Sequence, residues 1–212
     1  MVMRSRLLRT LFAVLVAVGV AAAVTGPAAA YPPDPPSVAE SRAQLDAITV
    51  AAPGSDDGYS RELFPHWLGQ EGNCNTREVV LRRDGSGVQT GADCYPDSGS
   101  WYSVYDRDWL SDPSDVHIDH MVPLAEAWRS GADSWSQQRR ADFANDLSRG
   151  QLIAVSGSSN MSKSDQDPAE WRPENTNWWC YYGRHWIDVK HDWGLTADAA
   201  EKSALDRMLD TC

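Results

Sequence analysis

The stretch that decides the reading is His117-Ile118-Asp119-His120-Met121-Val122-Pro123, where two histidines and a carboxylate fall within four positions. Residues 116–121 read as a short strand, and Pro123 stops it. Alternation along a strand puts His117 and Asp119 on one face and His120 on the other. All three therefore cannot bind one ion unless the backbone turns at Asp119-His120. A division of labour follows, with Asp119 as a metal ligand and His120 as a base acting on a water at the strand end.

Working outward, residues 123–129 read as a helix with proline near its start, and residues 136–147 as a second helix ended by Gly150. Residues 151–155 form a short apolar strand running into a turn at 156–160. Trp179, Tyr182, Trp186, Val189 and Trp193 recur at steps of three and four, one face of a helix packed into a core. Thr196 reads as the N-cap of a last helix, 197–209, with Ala200, Leu205, Met208 and Leu209 inward. Upstream, residues 38–48 suit a short helix and 51–58 a loop, while 78–83 and 101–105 read as strands around the turn-rich stretch 84–100. The expected class is α+β: a mainly helical C-terminal half and an N-terminal β-hairpin tied by a disulfide.

The chain has 212 residues, a length suited to one domain. Arg4, Arg6 and Arg9 precede an apolar run over 11–24, and Ala28-Ala29-Ala30 supplies a small-residue cleavage site. Residues 1–30 thus read as a secretory signal peptide cleaved after Ala30, too short to stay as a membrane span. The absence of an Arg-Arg pair points to the Sec route. Residues 31–58 read as a Pro-rich linker and short helix, and 59–212 as the domain proper. The four cysteines, Cys74, Cys94, Cys180 and Cys212, suit two disulfides in an oxidising compartment. Of three pairings, Cys74 with Cys94 and Cys180 with Cys212 makes the shortest loops. Zinc is the weaker alternative, because no Cys-x-x-Cys pair is present.

The net charge of −11 becomes −14 once the three leader arginines are removed, which argues against a protein that coats polyanions. The charge is uneven. Residues 31–118 hold 6 basic and 15 acidic side chains, whereas 120–190 hold 8 and 9. Arg139, Arg140, Arg149 and Arg172, with Lys163, Arg184 and Lys190, are therefore the candidates for a local nucleic-acid groove. Ten tryptophans keep a rival class in view, a secreted Trp-rich module that binds carbohydrate or cell wall. Such a module has no need of Asp119-His120 with Asn160 and Lys163.

The order Asp119-His120, Asn145, Asn160 resembles the HNH, or ββα-metal, nucleases: an Asp-His pair at a strand end, a middle Asn, and a final His or Asn on a helix. The resemblance extends through Pro123-Leu124-Ala125-Glu126-Ala127-Trp128, Phe143-Ala144-Asn145-Asp146-Leu147, Asn160-x-x-Lys163, Trp171-x-Pro173 and Cys180-x-Tyr182. Together these are similar to secreted proteins related to the C-terminal domain of the GmrSD restriction endonucleases, over residues 59–212. The resemblance implies a ββα-metal core and a metal-dependent endonuclease acting on nucleic acid, DNA before RNA. Asp119 and Asn160 would hold Mg²⁺, or alternatively Mn²⁺. His120 would activate water, and Lys163 would meet charge developing on the phosphate. Asn145 would position the His120 loop, and His117 would support, as a donor to Asp119, with a second metal ligand or a DNA contact as alternatives. A catalytically dead nuclease fold is the third alternative, disfavoured by the intact triad. Arg77 also matches the family pattern, and either a salt bridge to Glu78 or a phosphate contact fits it. His66, His185 and His191 read as structural or surface residues. The protein is expected to be monomeric, without membrane association after cleavage.

Overall fold

The computed structural model describes residues 32–212, so the expected signal peptide lies outside the described residues. The centre is an antiparallel pair, β4 (Val116–His120) and β5 (Leu152–Ser156), in register from Val116 opposite Ser156 to His120 opposite Leu152. All of β5 is buried, because both faces of the pair are covered. On one face, Val116, Ile118, Leu152 and Ala154 pack with Val80, Leu81 and Trp101. On the other, Ile153 and Val155 join the main core with Tyr105, Tyr182 and Trp186. Alternation thus sends Asp119 and His120 to opposite sides, as the sequence requires.

Between the strands run α3 (Leu124–Arg129) and α4 (Gln137–Ala144), and α5 (Gly157–Lys163) follows β5 directly. Residues 157–160, expected in a turn, are instead the start of α5, because the Ser156 hydroxyl accepts from Ser159 N and nucleates the helix. Helix α5 lies tight on β4: a Cβ at Gly157 would sit 3.0 Å from His117 Nε2. Helix α4 ends at Asn145, short of the expected 147. Helix α6 (Trp179–Trp193) buries Tyr182, Trp186 and Val189, with Trp179 and Trp193 partly buried. Helix α7 (Ala199–Leu209) is capped by Asp198 rather than Thr196. Its inner face uses Glu201, Ala204, Leu205, Met208 and Leu209, so Ala200, one residue off that stripe, is exposed.

The N-terminal half departs further from expectation. Residues 78–83 belong to a helix, α2 (Thr76–Asp84), not a strand. Asn75 and Glu78 form a reciprocal capping box, which outweighs the β preference of Val79 and Val80. The hairpin is β1 (Gly85–Thr90) with β2 (Pro96–Tyr102), extended by β3 (Trp109–Leu110), and so falls within the stretch read as turns. Both shortest-loop disulfides form, Cys74–Cys94 and Cys180–Cys212. The first joins the residue before the α2 cap to the β1–β2 turn, so it ties the hairpin to a helix. Loops of 20 and 32 residues each correspond to roughly 3–4 kcal/mol of chain-entropy stabilisation. The Pro-rich stretch is no free linker: Arg184 donates to the carbonyls of Pro35 and Pro36, and Leu45 and Ile48 of the adjoining α1 segment (α1, Val38–Ala47) enter the main core.

Candidate active site

A cleft of about 350 Å³ opens where β4 ends, lined by Tyr59, Arg61, Asp119, His120, Asn160 and Asp165 among others. His120 is buried, with Nε2 3.0 Å from the Ala144 carbonyl. A carbonyl only accepts, so Nε2 carries the hydrogen and Nδ1 keeps the lone pair. Burial pushes the imidazole down to about 3, against the raising effect of the Ala144 bond, so the ring is neutral near pH 7. The rings of Trp67 and His66 flank it at 5.6 and 6.3 Å.

Asp119 is 3% exposed. Its Oδ1 accepts from Lys163 Nζ at 2.8 Å, and its Oδ2 from the Tyr105 hydroxyl at 2.6 Å. The same ammonium donates to the His120 carbonyl at 2.8 Å, so one lysine holds both members of the pair. Burial pushes the Asp119 carboxyl up and the Lys163 ammonium down, and their mutual attraction opposes both shifts. Burial and the Asp119 charge push the Tyr105 hydroxyl well above its ordinary value.

Lys163 is fully buried, which corrects the expectation that it meets the phosphate. Its side chain turns inward because α5 packs against β4, and its ammonium joins Asp119 to the His120 carbonyl. His117 bonds Asn160, with Nδ1 3.3 Å from Asn160 Nδ2, so its supporting contact is to Asn160 rather than Asp119. Asn145 stays outside the cleft. Its Oδ1 accepts from Leu68 N (3.0 Å) and Thr76 Oγ1 (2.6 Å), and its Nδ2 donates to the carbonyls of Pro65 (2.8 Å) and Ala141 (2.7 Å). It therefore fastens the segment carrying His66 and Trp67 beside Ala144, whose carbonyl orients His120.

Residues 92–208 match the family described as GmrSD restriction endonucleases, C-terminal domain. The chain belongs to that family. It is also 50% identical over 203 residues, spanning 96% of this chain and 98% of the other, to a protein of Arthroderma benhamiae named as an uncharacterized secreted protein. No solved structure matches the chain. The family relates the chain to nucleases, and the matched residues contain Asp119, His120, Asn145, Asn160 and Lys163 but neither Tyr59 nor Arg61.

Among the described residues, no three His, Cys, Asp or Glu side chains converge on a metal position. What the end of β4 and helix α5 offer a cation is the Asp119 carboxylate, with lone pairs beyond those used by Lys163 and Tyr105, and the Asn160 amide, whose nitrogen faces His117. Hard oxygen donors so few in number fit a cation that keeps several waters, not an all-protein cage.

The arginines expected to form a groove do not line this cleft, and their side chains make contacts elsewhere. Arg139 stacks on Trp135 (4.6 Å) and bonds the Trp193 carbonyl. Arg140 donates to the carbonyls of Leu63, Ala132 and Trp135. Arg149 pairs with Asp188 and Asp192, and Arg172 lies over Trp179 at 5.0 Å. Arg184 holds the Pro-rich stretch, and Lys190 is buried among acids. Arg77 donates to the carbonyls of Pro113 and Val116 instead of Glu78. His185 is a buried core residue that burial pushes down to about 3, and His191 pairs with Asp192 at the surface. His66 is not remote, since it neighbours His120. Sequence reasoning missed Tyr59, Arg61 and Tyr105, which lie outside any motif spacing and meet Asp119-His120 only through the fold.

Proposed function

We propose that the protein is an exported, metal-dependent endonuclease of HNH type, hydrolysing phosphodiester bonds of nucleic acid and of DNA foremost. The observation that carries this reading is His120: Nε2–H is committed to the Ala144 carbonyl, so Nδ1 is the basic nitrogen, in a cleft shared with Asp119 and Asn160. The β4, β5 and α5 succession, with Asp119-His120 at the end of the first strand and Asn160 on the helix, supports a ββα-metal core.

In this mechanism His120 Nδ1 takes the proton of a water attacking phosphorus, while the Ala144 carbonyl holds the ring and favours the imidazolium formed. Lys163 keeps the Asp119 carboxylate and the His120 backbone in fixed relation. Asp119 and Asn160 would hold the divalent cation, Mg²⁺ or Mn²⁺. When bound, such a cation neutralises phosphate oxygens and stabilises the departing oxygen. The negative charge of a bound phosphodiester raises the proton affinity of this buried imidazole.

Two disulfides, the leader-like residues 1–30 and a relative named as secreted support export. No helix among the described residues is long and apolar enough to cross a membrane. We take the working form to be a monomer. A glycan-binding module has little support, because the tryptophans pack largely into the core and only Trp109, 66% exposed, stands out among the described residues as a large exposed one. The test is plasmid cleavage by the protein with Mg²⁺ or Mn²⁺, with and without chelator. Metal-dependent nicking that the chelator abolishes is expected. Absence of cleavage with either ion refutes the reading.

A further inference from the structure

We infer that Arg61 is the residue that binds the substrate phosphate, at a subsite formed by a segment preceding the family-matched residues. This rests on the nuclease reading of the cleft. The charge balance within the cleft points to it. Of the two aspartates on the wall, Asp119 is paired with Lys163, and Asp165 Oδ2 accepts at 2.8 Å from Nη1 of Arg129, a guanidinium that it shares with Asp56 and Glu126. Arg61 lines the same cleft, is exposed, and has no ion pair or side-chain hydrogen bond among the described residues. Its neighbour Glu62 is turned to the Ser60 hydroxyl. Arg61 is thus the cleft's cation without an ion pair of its own among the described residues, and its guanidinium has a fork of donors that matches two phosphate oxygens.

The segment holding Arg61 is also fixed in place. Arg61 begins a 3₁₀ turn, Arg61–Leu63, whose Leu63 carbonyl accepts from Arg140 Nε at 3.0 Å. Phe64 follows, fully buried against Phe143 and Trp128. Asn145 then clamps the Pro65 carbonyl and the Leu68 amide. Arg140 and Asn145, both expected at the substrate or the catalytic loop, thus act by anchoring the turn that presents Arg61. An arginine presented from a fixed turn loses little freedom on binding an anion.

The test compares His120→Ala with His120→Ala/Arg61→Gln and His120→Ala/Arg61→Lys for binding a single-stranded DNA dodecamer in chelator across a salt series. Arg61→Gln and Arg61→Lys in the active background are assayed for kcat and KM. Arg61→Gln is expected to weaken binding about tenfold and to reduce the slope of log affinity on log salt by about one, with Lys restoring part. Unchanged affinity and slope overturn the proposal, as does failure of His120→Ala itself to bind. If the unaltered protein cleaves nothing but Arg61→Gln still weakens binding, the catalytic reading falls and the subsite stands. If cleavage proceeds with kcat and KM indifferent to Arg61, the subsite falls and the catalytic reading stands.

Discussion

Two fully buried lysines flank one indole: Lys163 and Lys190 each place Nζ 5.8 Å from the Trp186 ring centre, on different elements. Lys190 donates to Glu126, Glu201, Ser130 Oγ and the Thr196 carbonyl, and these partners knit α3, α6 and α7 together. Lys163 has one carboxylate, Asp119, and the His120 carbonyl, and both residues line the cleft. The comparison teaches that a buried, strongly perturbed ion pair does not by itself mark a reaction centre. What separates the two is where the paired acids sit: among packed helices in one case, on the wall of a cleft in the other.

The largest effect expected from breaking this comparison is on stability. Lys190→Met strands two buried carboxylates and should cost about 3–5 kcal/mol in denaturant unfolding, with cleavage per folded molecule preserved. Lys163→Met should cost a similar amount and also lower cleavage about a hundredfold under conditions where it is folded. Full cleavage by Lys163→Met would remove its positioning role.

The next effect is pH-dependent and belongs to the sealed cluster. Burial, opposed by Lys190, lifts the Glu201 carboxyl to about 7, above its unfolded value of 4.5. Between those values the folded protein binds more protons than the unfolded chain, so stability falls as pH rises from 4.5 to 7. The loss attributable to Glu201 is on the order of 3 kcal/mol. Glu201→Gln should flatten that limb of the stability profile. An unaltered slope would mean the carboxyl is ionised throughout.

Both lysines also show what a sequence conveys and what it withholds. The Asp119-His120 pair, the strands around it and the α6 aromatic face were legible, because alternation and helical period are local. The disulfides followed from loop length. Helix α2 is hidden in the sequence by the β preference of two adjacent valines, which masks the Asn75-x-x-Glu78 cap. That the expected groove arginines do not line the cleft is hidden for a different reason: counting charges along a segment does not reveal which guanidinium groups are bonded to carbonyls or stacked on indoles. The buried placement of Lys163 and the arrival of Arg61 at His120 from 59 positions upstream are products of tertiary packing. The acidity of the chain loses some of its force by the same argument, since each cleft aspartate has a basic partner, Asp119 in Lys163 and Asp165 in Arg129.

The smallest effect sharpens the cleft side of the comparison. Tyr105→Phe removes one hydrogen bond to Asp119 and should cost about 2 kcal/mol, with a several-fold loss of cleavage and the fold intact. A variant as active and as stable as the original would show that Lys163 alone sets the carboxylate.

The central claim is that His120, held through Nε2 so that Nδ1 keeps the lone pair, is the base of a metal-dependent phosphodiester hydrolysis. The most direct measurement is the initial rate of plasmid nicking in Mg²⁺ or Mn²⁺ by His120→Ala beside the unaltered protein, with far-UV circular dichroism confirming matched fold. A drop of about a hundredfold or more with the fold unchanged is the predicted result. Equal rates from the two proteins would contradict the account.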